Sequence, residues 1–317
     1  MPTKPLVSSP SRVSLQALVV ARRYFHDGKQ KNVIAQELGI SRFKVARLLE
    51  EAKSAGVVKI SIESPAEVDL NLGEELAKEF GIRHVFVAKV SKDWADSGDL
   101  LMATAAADYL MENVGAEDVL GISWGSSVAR VVDRIHSLPA IPIVQLVGGV
   151  RSSKLDSNGS ELVRRLSLIG GGEAFPLMSP LVLESESMAS ALRGEAAIVE
   201  TLKQFKRVSI ALVGIGAWGP RNSSLFTELS TKDRESLTKS GAVADVCGVV
   251  LNAAGEKIQS SFQNRTVAIS HAELSKVDKV IAVAGGADKA EAVRASLKSG
   301  LVDVLVTDST LAQKLLD

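Results

Sequence analysis

Four short stretches of the chain place glycine, serine and lysine where a bound anion would find donors. Trp124-Gly125-Ser126-Ser127 follows the run Val119–Ser123, and Gly148-Gly149 follows Ile143–Val147. Gly214-Ile215-Gly216 follows Val208–Val213, and Gly285-Gly286-Ala287-Asp288-Lys289 follows Lys279–Ala284. Glycine lets backbone N–H groups approach an anion closely, and a helix that starts there adds its dipole and its unpaired donors. Ser126, Ser127 and Lys289 add side-chain donors. Together the four stretches point to one phosphate-bearing ligand held across several loops, although any one of them alone is as well explained by close packing.

Catalytic combinations are thin by comparison. Ile122-Ser123-Trp124-Gly125-Ser126 does not match the Gly-x-Ser-x-Gly nucleophile elbow. His136 and His271 lack the neighbouring Ser or Cys partners that would argue for a nucleophile pair, and no Walker loop is present. Asp245, read as the start of a strand, could act as a general base or bond a sugar hydroxyl. Asp308 reads as a helix N-cap, and Cys247, inside an apolar run, reads as buried packing. Four scattered histidines beside one cysteine show no metal-ligand spacing, so neither a metal nor a cofactor is expected.

A second set of residues has the chemistry of nucleic-acid contact. Arg42, Lys44 and Arg47 can hydrogen-bond guanine or phosphate, and Phe43 can touch a thymine methyl. Gln30 and Lys31 open a preceding helix, where N–H groups and a positive charge suit a phosphate.

The elements that must carry these residues can be read from the flanking pattern. Ser14 caps a helix bearing Leu15, Leu18, Val19, Ala21, Tyr24 and Phe25, which Asp27-Gly28 ends. A second helix over Gln30–Leu38 buries Val33, Ile34 and Leu38, with small Ala35 at the helix crossing. Gly39 takes a positive φ, Ile40 fills the space under the turn, and Ser41 caps a third helix running to about Ala55. Val45, Leu48, Leu49 and Ala52 face inward on that helix, leaving Arg42, Phe43, Lys44, Arg47 and Glu51 outside. This is a helix-turn-helix, and the alternating run Val57–Ile62 reads as a wing.

Charge follows the same division. The 317 residues balance 37 basic against 37 acidic groups. Residues 1–61 hold eleven basic and four acidic groups, a net +7, which leaves −7 for the rest. A basic head on an acidic body suits a nucleic-acid-binding module fused to another domain. Beyond Pro65, Val68, Leu72, Leu76 and Phe80 mark a connecting helix that either pairs with a partner chain, the preferred reading, or docks on the body. From His84 onward β-branched runs alternate with helical segments, among them a helix over Leu100–Val114 with Leu101, Ala105, Tyr109 and Leu110 inward. Further strands are read at Val85–Val90, Val246–Asn252 and Val302–Thr307. The alternation predicts a doubly wound, mostly parallel α/β domain with its ligand at the carboxyl ends of the strands. No apolar run is long enough to span a membrane, and the proline-rich first dozen residues lack a signal core. A lone cysteine fits a reducing compartment, so a cytoplasmic protein is expected.

These motifs resemble those of the SorC-type sugar-binding transcriptional regulators. The likeness rests on Val33–Arg42 with Val45 and Arg47-Leu48-Leu49 in the head. In the body it rests on Gly121–Gly125, Val144–Gly149, Leu212–Gly216, Gly241–Gly248, Ala282–Gly286 with Lys289-Ala290, and Val304–Asp308. It implies a winged helix-turn-helix joined to an effector domain related to sugar-phosphate isomerases and CoA transferases, in a dimer or tetramer. The implied partition is an arm over 1–13, a DNA-binding domain over 14–63, a linker helix over 64–81 and an effector domain over 82–317. By motif, the effector contacts are Gly125, Ser126, Ser127, Gly148, Gly149, Asp245, Gly285 and Lys289. The DNA contacts are Gln30, Lys31, Ser41, Arg42, Phe43, Lys44 and Arg47. Three positions depart from the family pattern: Ala244 stands for glycine, Ser127 for threonine and Lys44 for threonine. Val147, not lysine, precedes Gly148-Gly149, so a noncovalent effector is expected. The expected function is carbohydrate-responsive control of operator DNA by a phosphorylated sugar, with no enzymatic activity. A sugar-phosphate isomerase carrying an accessory DNA-binding head is the alternative, and a scaffold whose head binds protein is a third reading.

Overall fold

The computed structural model describes residues 14–58, 68–90, 97–151 and 155–317, and the chain divides into two compact units, residues 1–63 and 64–317. The expected arm over 1–13 lies outside the described residues, as does most of the wing, of which only Val57 and Val58 are described.

Among the described residues, three helices form the first unit. Helix α1 (Leu15–Ala21) starts where the Ser14 hydroxyl accepts from Ala17 N at 3.2 Å, and a π-helical turn (Arg22–His26) extends it. Helix α2 (Lys31–Leu38) ends at Gly39, whose φ of 63° lies in the left-handed region that glycine enters without strain. Helix α3 (Arg42–Ser54) is capped by Ser41, whose hydroxyl accepts from Lys44 N at 3.2 Å. Ala17, Val20, Ala21, Ile34, Ala35, Val45, Leu48, Leu49 and Ala52 make the core. The inward face of α1 therefore differs from expectation: Leu15, Leu18, Val19 and Phe25 are exposed, and so is Val33 on α2. Helix α1 carries two apolar stripes, and the one with two alanines is buried because small side chains let α1 approach α3 closely.

The second unit is built on a seven-stranded sheet ordered β1-β10-β9-β5-β2-β3-β4, with every pairing parallel. Its strands are β1 (His84–Ala88), β2 (Leu120–Ile122), β3 (Ile143–Gln145), β4 (Ala174–Phe175), β5 (Ile210–Gly214), β9 (Lys279–Val283) and β10 (Val304–Asp308). A separate antiparallel sheet joins β6 (Gly216–Ala217), β7 (Ala242–Val246) and β8 (Val249–Asn252). Ile210, Leu212, Ile281, Val283, Val304 and Val306 pack into one core, whereas Ala211, Val213, Val280, Ala282 and Leu305 pack into another. Burial on both faces explains why these strands are continuous apolar runs. From β2 the chain proceeds to β3 and β4 on one side, and from β5 to β9 and β10 on the other. The order thus reverses between β2 and β5, where parallel α/β sheets open a crevice at their carboxyl ends.

Three expectations need correction here. The connecting helix (Leu70–Phe80) does not leave its stripe free for a partner chain. Leu76 is fully buried in the body's core, and an added methyl at Gly73 would collide with the Val85 carbonyl. Val68 lies outside that helix and bridges Ala88. The inward face of the helix Ser97–Asn113 is Met102, Ala103, Ala106, Ala107 and Leu110, while Leu101, Ala105 and Tyr109 are only partly buried. Finally, Val246–Asn252 is not one strand. A hairpin turn at Cys247-Gly248 separates β7 from β8, and Cys247 has a φ of 52°. Among the described residues no helix is long and apolar enough to cross a membrane.

Candidate functional site

A cavity of about 360 Å³ lies at the carboxyl ends of β2 and β5, at the reversal of strand order. Its first wall is the turn from β2 into the helix Ser126–Val132. Ser123 ties the two strand ends together, its hydroxyl accepting from Gly214 N at 3.2 Å. Gly125, at a φ of 121°, reverses the chain so that Ser126 and Ser127 open the helix at the cavity edge. The first N–H groups of a helix have no intrahelical acceptor and therefore face the space ahead of it. Trp124 lines the same wall, and its indole Nε1 is buried without a hydrogen-bond partner among the described residues.

Asp245 on β7, Arg221, and Lys289 in the 3-10 turn Ala287–Lys289 supply the charges. Asp245 is 6% exposed, and its carboxylate accepts from the Ser223 hydroxyl at 2.6 Å. Burial pushes its pKa up to about 6, against the opposing pull of the Ser223 hydrogen bond and the Lys289 charge. Gly216 sits against this carboxylate so closely that any Cβ would collide with it. The Lys289 ammonium makes one long contact, 3.5 Å to the Ile215 carbonyl. Burial holds its pKa below the ordinary lysine value, with Asp288, Asp245 and Asp99 opposing. The Cys247 thiol is driven up by burial and by Asp245, so it stays protonated.

The structure therefore brings together Gly125, Ser126, Ser127, Asp245 and Lys289. It does not bring Gly148, Gly149 or Gly285 to this cavity. Gly148 donates to the Val267 carbonyl at 3.0 Å, and an added Cβ would stand 2.7 Å from the Pro180 carbonyl oxygen. Gly149 donates to Ser179 O at 2.8 Å, and Gly285 packs against Met102 and Asp308. Close packing accounts for Gly148 and Gly285, where any Cβ would collide, whereas at Gly149 an added Cβ would meet only an ordinary contact 3.8 Å from Ser179 O. Asp308 caps the C-terminal helix, accepting from Leu311 N at 2.9 Å, and also accepts from Gly286 N at 2.5 Å. Sequence reading missed Arg221, Asn222 and Ser223, which reach the cavity from the loop after β6. Among the described residues no cluster of His, Cys, Asp and Glu could hold a metal ion.

On the first unit, Gln30, Ser41, Arg42, Phe43 and Arg47 are exposed, while Lys31 and Lys44 are half-buried. Phe43 is 88% exposed, far beyond what a packing role needs. Lys31 lies over the Tyr24 ring at 5.6 Å, and Ser41 spends one lone pair on its cap yet keeps a hydroxyl proton to donate.

Comparison with known proteins bears on both units. The Sugar-bind family model, described as "Putative sugar-binding domain", matches residues 64–317. The transcriptional regulator LsrR of Enterobacter sp. (strain 638) is 29% identical over 304 residues, covering 94% of this chain and 91% of that protein. The deoxyribonucleoside regulator of Bacillus subtilis is 28% identical over 313 residues, covering 95% and 97%. The full-length sorbitol operon regulator SorC from Klebsiella pneumoniae superposes with a TM-score of 0.75 at 21% identity, over 95% of this chain and 98% of its own. That likeness establishes the architecture of a mostly parallel α/β unit with an N-terminal helical unit. With a family match over the whole second unit, the chain belongs to the Sugar-bind family of SorC-type sugar-binding transcriptional regulators.

Proposed function

We propose that the protein binds operator DNA through α3 and that a phosphorylated sugar, held noncovalently in the β2–β5 cavity, changes its affinity for that DNA. The observation that carries this reading is the Lys289 ammonium, set with only a long carbonyl contact in the cavity that Ser126 and Ser127 also line. A phosphate there would gain the charge, two hydroxyls and the first N–H groups of the helix Ser126–Val132. Asp245, buried beside Ser223, would accept from a sugar hydroxyl. Titratable side chains lining the cavity are Arg221, Asp245, Cys247 and Lys289.

In the first unit, Arg42, Phe43, Lys44 and Arg47 would enter the major groove, with Gln30, Lys31 and Ser41 on the backbone. Two half-sites call for a dimer or a tetramer in the cytoplasm. The sugar acts only to the extent that it prefers one arrangement of that oligomer.

Fluorescence anisotropy on labelled DNA from upstream of the protein's own gene tests this reading, with a panel of pentose and hexose phosphates. Site-selective binding altered by one sugar phosphate, with the alteration lost in Lys289→Met, is the expected result. Absence of DNA binding together with turnover of a panel member would instead make the body an enzyme. A borohydride-trapped adduct on Lys289 would overturn the noncovalent mode.

A further inference from the structure

Asn222 and Ser223 are neighbours in the loop after β6, and each is bonded to an element that carries one of the cavity's charges. The Ser223 hydroxyl donates to the Asp245 carboxylate. The Asn222 side-chain amide donates to the Asp288 carboxylate at 2.6 Å, and Asp288 is the middle residue of the 3-10 turn that ends in Lys289. The loop is itself tied down. Trp218 donates from its backbone N to Val243 O at 2.9 Å and from its indole to the Thr238 hydroxyl at 2.9 Å. Ala217 N donates to Asn222 O at 3.1 Å, and Ser223 N donates to Gly219 O at 3.2 Å. The Ser223 hydroxyl also accepts from Phe226 N at 3.0 Å, capping the helix Ser224–Glu228. The Lys289 turn is less well supported. None of its three residues is buried, and its ammonium makes one long contact, so where that charge stands depends on where the turn stands. Gly286 N, donating to Asp308, holds the turn from one end, and Asn222 holds its middle. Among the described residues Asp288 forms no ion pair, and it does not line the cavity, whereas Asn222 does.

We propose that Asn222 is a positioning residue for the phosphate group: its amide anchors the Lys289 turn to the fixed loop and keeps the Asp288 carboxylate outside the cavity. The inference rests on the sugar-phosphate reading of that cavity. Without the bond the turn is free to shift and the carboxylate to swing toward the ammonium, where it would compete with a phosphate for the same charge. Ser223 holds Asp245 from the next position of the same loop. One short segment thus sets the spacing between the group that takes the phosphate and the group that takes a sugar hydroxyl.

Calorimetric titration of the full chain with inorganic phosphate at fixed ionic strength tests the assignment. Asn222→Ala is expected to weaken phosphate binding about threefold to tenfold. Asp288→Asn and Asp288→Ala carry the same charge, but only the first keeps an oxygen to accept from Asn222. Asp288→Ala should therefore bind phosphate about threefold or more weakly than Asp288→Asn. Adding Asn222→Ala to Asp288→Ala should cost nothing further, a pattern that a general loss of stability would not produce. Wild-type affinity in Asn222→Ala overturns the proposal, as does equal affinity in the two Asp288 variants or a full further loss in the double variant. Phosphate binding that is abolished by Lys289→Met but indifferent to Asn222→Ala sinks the positioning role and leaves the sugar-phosphate reading standing. Wild-type protein that takes up no phosphate at millimolar concentration, or binding unchanged in Lys289→Met, sinks both. Should Asn222→Ala fail to fold by circular dichroism, the two Asp288 variants decide the outcome.

Discussion

Asp245→Asn exchanges a buried ionisable group for a neutral one of the same shape, and its effect on stability follows from the position of the carboxyl group. Burial lifts the Asp245 pKa from 3.8 to about 6. Between those values the folded chain still holds a proton that the unfolded chain has released. Stability therefore falls as pH rises from about 4 to about 6, and stays lower above that. A displacement of about two pH units at ~1.36 kcal/mol each amounts to about 3 kcal/mol at pH 8, and to about 1 kcal/mol at pH 4.5. Asparagine keeps an oxygen to accept from Ser223 and cannot ionise, so the variant should be more stable than the wild type by up to those amounts. Urea unfolding of the full chain, followed by tryptophan fluorescence at both pH values, reads the difference. The same variant should bind the phosphorylated sugar about tenfold more weakly, because a neutral amide oxygen is a poorer acceptor than a carboxylate. Stability given up for a charge in a cavity is what a binding site shows. A gain of equal size at pH 4.5 and pH 8, or no gain at pH 8, would refute the reasoning.

Gly216→Ala should disrupt the sugar-phosphate cavity by driving a methyl into the Asp245 carboxylate, and calorimetry should find ligand binding lost; unchanged affinity would count against the site. Arg42→Ala and Arg47→Ala should each weaken DNA binding about tenfold and lower the log–log salt slope by about 1 per phosphate contact removed, with sugar-phosphate affinity unchanged. Ile34→Ala leaves a cavity in the core of the first unit and should cost that unit about 2–5 kcal/mol, measured by hydrogen exchange of the α2 amides. A loss under about 1 kcal/mol would mean the helix packing is not as described.

The helix-turn-helix was legible because its signals are local. Ser14 and Ser41 cap as expected, and Gly39 adopts the left-handed conformation that the turn needs. Which stripe of α1 turns inward was not legible, since the choice depends on how closely α3 approaches. The parallel strands were visible as apolar runs. The β7–β8 hairpin was not, because Cys247-Gly248 is a turn without the usual asparagine or aspartate and interrupts an unbroken apolar stretch. Glycine marked strand ends correctly but not purpose. Gly125 opens the cavity, whereas Gly148 is required by the Pro180 carbonyl 2.7 Å from where its side chain would begin. Arg221 through Ser223 carried no signal at all, since they come from an irregular loop and their position depends on the small antiparallel sheet.

Pairing of the first strand with the last has a consequence for how the protein is made. Residues 84–88 of β1 lie in register with 304–308 of β10, so this edge of the sheet cannot close until the end of the chain has been synthesised. At about 5–20 residues per second, that wait is on the order of ten seconds or more. The three-helix unit, whose core spans Ala17 to Ala52, has all its partners long before then. A ribosome thus releases the DNA-reading helices early and the sugar-reading cavity late. A chain cut short before β10 would retain the former without the latter, a regulator deaf to its signal.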